Sequence, residues 1–189
     1  QKMLEGVAVN IFVEGEHHMD KRVIHLKKGI ARIAFSTFER HHLEDLQIVP
    51  VGCNYFYPDR TRDEASIIVG TPLFVRDYWE RYQQNPNVGI NHLCRDILKS
   101  LKQICYNLED SADDPLAEML LELWKNDRPA RHLPIVEHQA TRFWSEKARL
   151  DQLNELPKDQ KNQLLEDCTQ YFTALEKEGL KDEALVSPQ

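Results

Sequence analysis

No stretch of about 18 consecutive apolar residues occurs in this chain, so no bilayer-spanning helix is expected. The first residues, Gln1-Lys2-Met3-Leu4-Glu5, lack the long apolar core of a secretory signal, and none is expected. Cysteine is sparse. The four residues Cys53, Cys94, Cys105 and Cys168 are scattered, and no two form a C-x-x-C pair. They read as buried free thiols in a reducing compartment rather than a disulfide framework. Neither H-E-x-x-H nor C-x-x-C spacing is present, so no metal is expected. Basic residues are outnumbered, 24 Lys and Arg against 31 Asp and Glu, which leaves a formal net charge of -7. Nucleic acid rewards a basic face and is not expected as a partner. Internal repeats and low-complexity segments are also lacking. What remains is an ordinary apolar fraction in 189 residues. That suffices for one sizeable core, or for one domain with a helical extension.

The charge is uneven. Between Gly15 and Arg32 stand five basic residues (Lys21, Arg22, Lys27, Lys28, Arg32) and two acids (Glu16, Asp20), with three histidines in reserve (His17, His18, His25). From Leu150 to Gln189 there are nine acids and four lysines. A local basic segment beside a glycine in an acidic chain points to a small anionic substrate. The plainer reading is a solvated helix start.

The first part of the chain mixes strand and helix signals. Gly6-Val7-Ala8-Val9-Asn10-Ile11-Phe12-Val13 is almost all apolar and β-branched, which predicts a strand buried on both faces of a parallel sheet. Leu26, Ile30, Ile33, Ala34 and Phe38 recur at helical spacing and predict a helix over 26–39. Gln47 to Gly52 predicts a second strand, with Pro50 where no ladder donor is needed. Tyr57 to Arg60 reads as a loop, Ala65 to Val69 as a third strand, and Leu73 to Val75 as a short edge. Strand, helix and strand in this order indicate α/β architecture.

The remainder reads as helical. Ile90, Leu93, Cys94, Ile97, Leu98, Leu101, Ile104, Cys105 and Leu108 hold one apolar stripe. Leu116 to Trp124 predicts a shorter helix entered through Ser111 and Asp113-Asp114-Pro115. Pro129 and Pro134 punctuate a linker. Helices are predicted over 135–150 and 158–177, the latter ended by Gly179, with a frayed tail from Asp182.

Glu14-Gly15 thus falls at the carboxyl end of a predicted strand, where open α/β sheets place ligands. The basic residues that follow lie at a helix start, where unpaired backbone N–H groups favour anions. A phosphate pocket is chemically reasonable there. Glu14 could instead fix the loop by accepting backbone N–H groups, and Gly15 reads as a turn residue with positive φ. His17 and His18 could ligate a metal with Glu16 or Asp20, but no metal spacing supports it. His41-His42 suit a helix C-terminus. Trp79, Trp124 and Trp144 read as core or interface residues, and Tyr78-Trp79-Glu80-Arg81-Tyr82 would suit contact with a membrane surface. The pair His92 and Asp96 reads as an exposed helix pair.

The segments "IFVEGEHH", "LKKGIARIAF" and "IVPVGCNY", in this order, resemble the glycerolipid acyltransferase family. Phe12, Glu14, Gly15 and His18 match its block F-P-E-G-x-(R/S)-(S/H). Leu26, Lys27 and Gly29 match its L-K-x-G helix start, and Ile48-Val49-Pro50-Val51 matches its apolar-Pro-Val strand. The resemblance covers residues 7 to about 78. It implies an α/β fold: the C-terminal part of a mixed, mainly parallel sheet flanked by helices, followed by an all-helical extension. Residues 1–80 would be the C-terminal half of the acyltransferase domain, and 81–189 the extension.

The resemblance further implies transfer of a fatty acyl group from acyl-CoA or acyl carrier protein. The acceptor is a hydroxyl of glycerol-3-phosphate or its 1-acyl derivative, a lysophospholipid. No metal or redox cofactor is implied, and the reaction is placed at the cytoplasmic face of a membrane. Glu14, Gly15, Glu16, His17, His18, Lys27 and Lys28 are the substrate-binding candidates. Val13 stands where the family has proline. Glu16-His17 replaces a pair that commonly carries an arginine, so a bidentate phosphate clamp is lost and His17, His18 or Lys28 would take its place. The family's H-x-x-x-x-D block, whose histidine is the general base, has no counterpart before Phe12. His92-x-x-x-Asp96 is one residue short of that spacing and lies on the wrong side of the matched blocks. The expectation is a soluble part of a longer enzyme, inactive alone, with no catalytic residue of its own. Two alternatives remain open: a non-enzymatic scaffold that binds a partner or membrane, and a metal-dependent hydrolase using the histidine pairs.

Overall fold

The structure is a computed structural model that describes residues 6–16, 20–55, 65–126 and 139–185. It divides into two compact units. One takes residues up to 19 together with 23–105, and the other takes 20–22 with residues from 106 onward. In the first unit, helix α1 (Gly29–His41) is followed by strands β1 (Gln47–Ile48), β2 (Val51–Tyr55), β3 (Ala65–Val69) and β4 (Leu73–Phe74). A 3₁₀ turn (Val75–Tyr78) leads into helix α2 (Trp79–Gln84) and the long α3 (Pro86–Ile104). The second unit holds α4 (Asp114–Asn126), α5 (Gln139–Glu155) and α6 (Lys158–Lys177).

The core of the first unit is built from helix stripes. Ala31, Ala34, Phe35 and Phe38 of α1 are buried in one cluster with Leu93, Cys94, Ile97, Leu101 and Ile104 of α3. The spacing of three and four residues puts each set on one helix face. Asn85 sets the start of α3. Its side-chain oxygen accepts the N–H groups of Asn87 and Val88 at 3.1 and 3.3 Å, with Pro86 in the first turn. Residues 81–105, which the sequence reading assigns to the helical extension, therefore cluster with the first unit, because α3 supplies half of its core.

The mainly parallel sheet is not there. Among the described residues, β1 pairs antiparallel with β4, and β2 with β3, as two separate two-stranded sheets. Residues 7–13 form no strand, Val7 and Val9 are half-exposed, and Phe12 is 83% exposed. An apolar β-branched run states a preference for burial, but a ladder also needs a neighbour, and the composition of one segment cannot supply it.

The β2–β3 hairpin shows the reverse of the usual alternation. Its inward positions include the small or polar Gly52, Asn54 and Ser66 beside Ile68, which packs on the core, whereas Val51, Tyr55, Ile67 and Val69 face outward. The end of α3 explains the choice. The Asn54 amide donates to the Ile104 carbonyl at 2.9 Å, and a Cβ added to Gly52 would lie 2.5 Å from that same oxygen. An orphan carbonyl of the last helical turn is thus satisfied by the sheet.

In the second unit, Leu108, Leu116, Ala117, Leu121, Phe143, Leu150, Leu153, Cys168 and Leu175 are buried. Several buried polar groups are paired, whereas Arg22 Nε and Asp114 Oδ1 are buried without a hydrogen-bond partner. The Tyr106 hydroxyl donates to Glu146 at 2.7 Å, Arg142 reaches the other oxygen of Glu146 at 2.8 Å, and Lys161 meets Asp113 at 2.6 Å. Helix α6 ends as its sequence indicates, with Gly179 at φ 64° and the Leu180 N–H bonded back to Leu175. The expected loop at 57–60 and the linker prolines Pro129 and Pro134 lie outside the described residues.

Gly89 is the tightest point between α2 and α3, where an added Cβ would lie 2.6 Å from the Tyr82 Cα. Gly89→Ala should force the two helices apart and cost about 2 kcal/mol, the usual scale of overpacking. Urea unfolding of the two proteins measures it, and an unchanged midpoint would show that the joint yields.

Candidate functional site

Among the described residues, bonds that close the loop joining residue 13 to α1 include three between its arms. The Lys27 backbone N–H donates to the Val13 carbonyl at 2.8 Å and brings the two arms together. The Ile24 N–H donates to Glu14 Oε1 at 2.9 Å. The Lys27 ammonium donates to Glu16 Oε1 at 3.0 Å. Between them Gly15 turns the chain with φ 71°, a conformation costly for a side chain. A Cβ there would also press on the Lys27 side chain at 3.3 Å.

The sequence candidates therefore divide. Glu14, Gly15, Glu16 and Lys27 are brought together, and Lys28 sits beside them as the N-cap residue of α1. His17 and His18 lie outside the described residues. Of the two readings of Glu14, the structure shows the structural one, a carboxylate accepting a backbone amide. The Glu16–Lys27 pair is more than half-exposed on both sides. Such exposed pairs are worth under about 1 kcal/mol. Lys28 makes no side-chain cap, and the first turn of α1 carries no acid. Its unpaired N–H groups and positive dipole end keep their preference for an anion. The neighbouring basic residue Arg22 is engaged elsewhere: its guanidinium pairs with Asp114 in the second unit and stands 3.6 Å from Asp20.

Several groups differ from their sequence reading. Tyr78, Trp79 and Tyr82, suited by composition to a membrane surface, turn inward. Tyr82 stacks on Phe35 at 4.1 Å and Trp79 packs against Phe38 at 5.0 Å. The cysteines are free, but only Cys94 and Cys168 are buried; Cys53 lies on the outward face of β2. Burial pushes the Cys94 thiol up from its ordinary value, against the pull of Lys28. The His92–Asp96 pair is not fully exposed, with side chains only 20% and 29% accessible.

Sequence spacing also missed what surrounds that pair. The Tyr78 hydroxyl donates to Asp96 Oδ2 at 3.1 Å, and Arg81 reaches the His92 ring. The four-residue separation of His92 and Asp96 was visible, but nothing in the sequence ties Tyr78 to them. Among the described residues no group of three metal-ligating side chains converges, and no helix is long and apolar enough to cross a membrane.

With this geometry in hand, the chain was compared with known proteins. No protein-family model matches it, and no solved structure does. Curated proteins do. The chain is 34% identical over 84 residues to an uncharacterized acyltransferase of Schizosaccharomyces pombe, which covers 44% of this chain and 12% of that protein. It is 29% identical over 105 residues to glycerol-3-phosphate O-acyltransferase 1 of Saccharomyces cerevisiae, and 29% over 103 residues to glycerol-3-phosphate O-acyltransferase 2 of the same yeast. Each of those two alignments covers 54% of this chain and 14% of the relative. The chain thus spans about one-eighth of the length of the curated relatives it matches, and those relatives are named as acyltransferases.

Two outcomes follow from the bonding. Glu14→Ala leaves the Ile24 amide without its acceptor, a loss of about 1 kcal/mol or more for a hydrogen bond to a charged group. Hydrogen exchange at Ile24 should quicken about fivefold to tenfold, while Lys27→Ala leaves it nearly unchanged; equal effects would deny Glu14 this task. For Tyr78, burial first and then the Asp96 carboxylate push the phenol from 10.0 up to about 12. The folded state holds this proton more tightly, so the associated stability is full below pH 10.0 and lost as pH rises through about 12. Tyr78→Phe should lose stability less steeply than wild type across that window, as read from urea midpoints at successive pH values.

Proposed function

We propose that this chain is the phosphate-holding part of an acyltransferase of phospholipid synthesis. The acyl group moves from acyl-CoA or acyl carrier protein to a hydroxyl of glycerol-3-phosphate or 1-acylglycerol-3-phosphate. What carries this reading is the shared stretch with two glycerol-3-phosphate O-acyltransferases, over 54% of the chain. The closed loop supports it. Glu14 and Gly15 hold the backbone, and Lys27, Lys28 and the start of α1 offer positive charge where a phosphate would displace Glu16. His17 and His18 follow Glu16 in the chain and are proposed as additional phosphate contacts.

In this reading the carbonyl carbon of the thioester is attacked by the acceptor hydroxyl, the C–S bond breaks, and the hydroxyl proton passes to a base while the thiol leaves. No histidine in the 189 residues precedes an aspartate with four residues between, so that base is proposed to come from outside them. The reaction calls for no metal or redox cofactor, and its lipid acceptors would place it at the cytoplasmic face of a membrane. A second reading, a non-enzymatic partner-binding scaffold, draws on the outward apolar face of β2–β3.

Titration calorimetry with glycerol-3-phosphate tests the first reading on the chain as it stands. Measurable binding that weakens about tenfold (about 1.4 kcal/mol) in a Lys27→Ala, Lys28→Ala double variant is expected. CoA release from palmitoyl-CoA by the 189 residues alone should be absent. Binding that ignores both substitutions, or no binding at millimolar ligand, moves the assignment to the scaffold.

A further inference from the structure

The β2–β3 hairpin turns an uncharged face to solvent, and the end of α3 fixes that orientation. Three cross-strand pairs make up the face: Val51 with Val69, Cys53 with Ile67, and Tyr55 with Ala65. All six residues are exposed, Ile67 and Val69 to 68% and 66%. None carries a charge, and the one hydroxyl, that of Tyr55, stands at one end of the row. On the other face, the Asn54 amide donates to the Ile104 carbonyl, and a Cβ on Gly52 would lie 2.5 Å from that oxygen. A ribbon turned over would press a larger side chain on this carbonyl and deprive it of its donor. The apolar row is thus held outward by the fold.

We propose that this face docks on a lipid bilayer, with its aliphatic side chains at the boundary of headgroups and acyl chains and the Tyr55 hydroxyl among the headgroups. Size and chemistry favour lipid over a protein partner. A stable protein–protein interface takes roughly 20–30 residues a side, against six here. It also carries about one hydrogen bond per 100–200 Å², and this face offers a single hydroxyl for the purpose. A bilayer requires no matching shape, and attachment to it grows with the apolar area inserted. Tyrosine suits the rim of such a contact, because its ring is apolar and its tip is wet. The chain carries a formal net charge of -7, so attraction to anionic headgroups is not the driving force. Attachment through an uncharged face is also insensitive to salt. Trp79 and Tyr82, which composition offers to a membrane, are spent on the core, and the hairpin supplies the surface they do not. The inference needs only this face and stands apart from the acyltransferase reading, since lipid attachment and acyl transfer are measured separately.

The test is flotation of the intact chain with phosphatidylcholine vesicles, at about 0.05 M and about 0.5 M salt. Wild type should float at both. Ile67→Glu combined with Val69→Glu should lower the floating fraction about tenfold, because two carboxylates would enter the apolar boundary. Ile67→Ser combined with Val69→Ser, milder for the fold, should lower it about threefold. Ile33→Glu, on the exposed side of α1, should leave it unchanged. Wild type that stays unbound overturns lipid docking, as does a serine variant that floats as well as wild type. Flotation that requires phosphatidylserine and disappears at high salt overturns it too, because basic residues would then carry the contact. So does a dimer in sedimentation velocity that the serine variant abolishes, since the face would then belong to a second copy.

Discussion

The apolar stripe of α1 buried against that of α3 is the constraint on which the first unit depends. Phe35 is fully buried, stacked on Tyr82, and shares its cluster with Leu93 and Ile97. Fixing α1 fixes its N-terminus, and Leu26 and Ile30 pack onto the same cluster. Lys27 is thereby held where its backbone N–H meets Val13, so the loop is closed from the core outward. The far end of α3 repeats the logic, because the Ile104 carbonyl selects glycine and asparagine as the inward residues of β2. A helix pair in this way sets both the loop and the face that the hairpin turns to solvent.

That dependence explains what could be read from the sequence. Long periodic stripes carry their own answer: α6 spans the predicted 158–177, and α3 differs from its prediction only at the ends. Strand Ala65–Val69 was legible from β-branched composition between turn signals. The parallel strand at 6–13 was not, because its composition speaks of burial while its described surroundings offer no ladder. The aromatic set at 78–82 left two readings open for a related reason. Amphipathic rings suit an interface and a core equally, and the decision lay in Phe35 and Phe38, far away in sequence. In the loop, the positive φ of Gly15 was legible, and so was the option that Glu14 holds a backbone amide. The Glu16–Lys27 pair was not, since it joins two sides of a closed turn.

The loop separates two kinds of charge. Glu14 is half-buried and committed to an amide, so it serves geometry. Glu16 and Lys27 are more than half exposed, and the ion pair between them is weak. Arg22 is different again, a half-buried guanidinium committed to Asp114 by a charge-assisted bond. The count of basic residues between Gly15 and Arg32 therefore overstates what an anion could use. In the proposed reading the usable part would be the Lys27–Lys28 pair and the backbone at the start of α1.

In the proposed phosphate-binding reading, such an arrangement would suit a doubly charged ligand better than a singly charged one. Displacing Glu16 exchanges one carboxylate for the incoming anion, and a monoanion would gain little from the trade. A phosphate monoester brings about two charges and several acceptor oxygens, enough to take Lys27 and still reach the N–H groups of the first helical turn. The preference follows from the position of Glu16 itself. In that reading Glu16, paired with Lys27, would raise the charge a ligand must carry to enter the site.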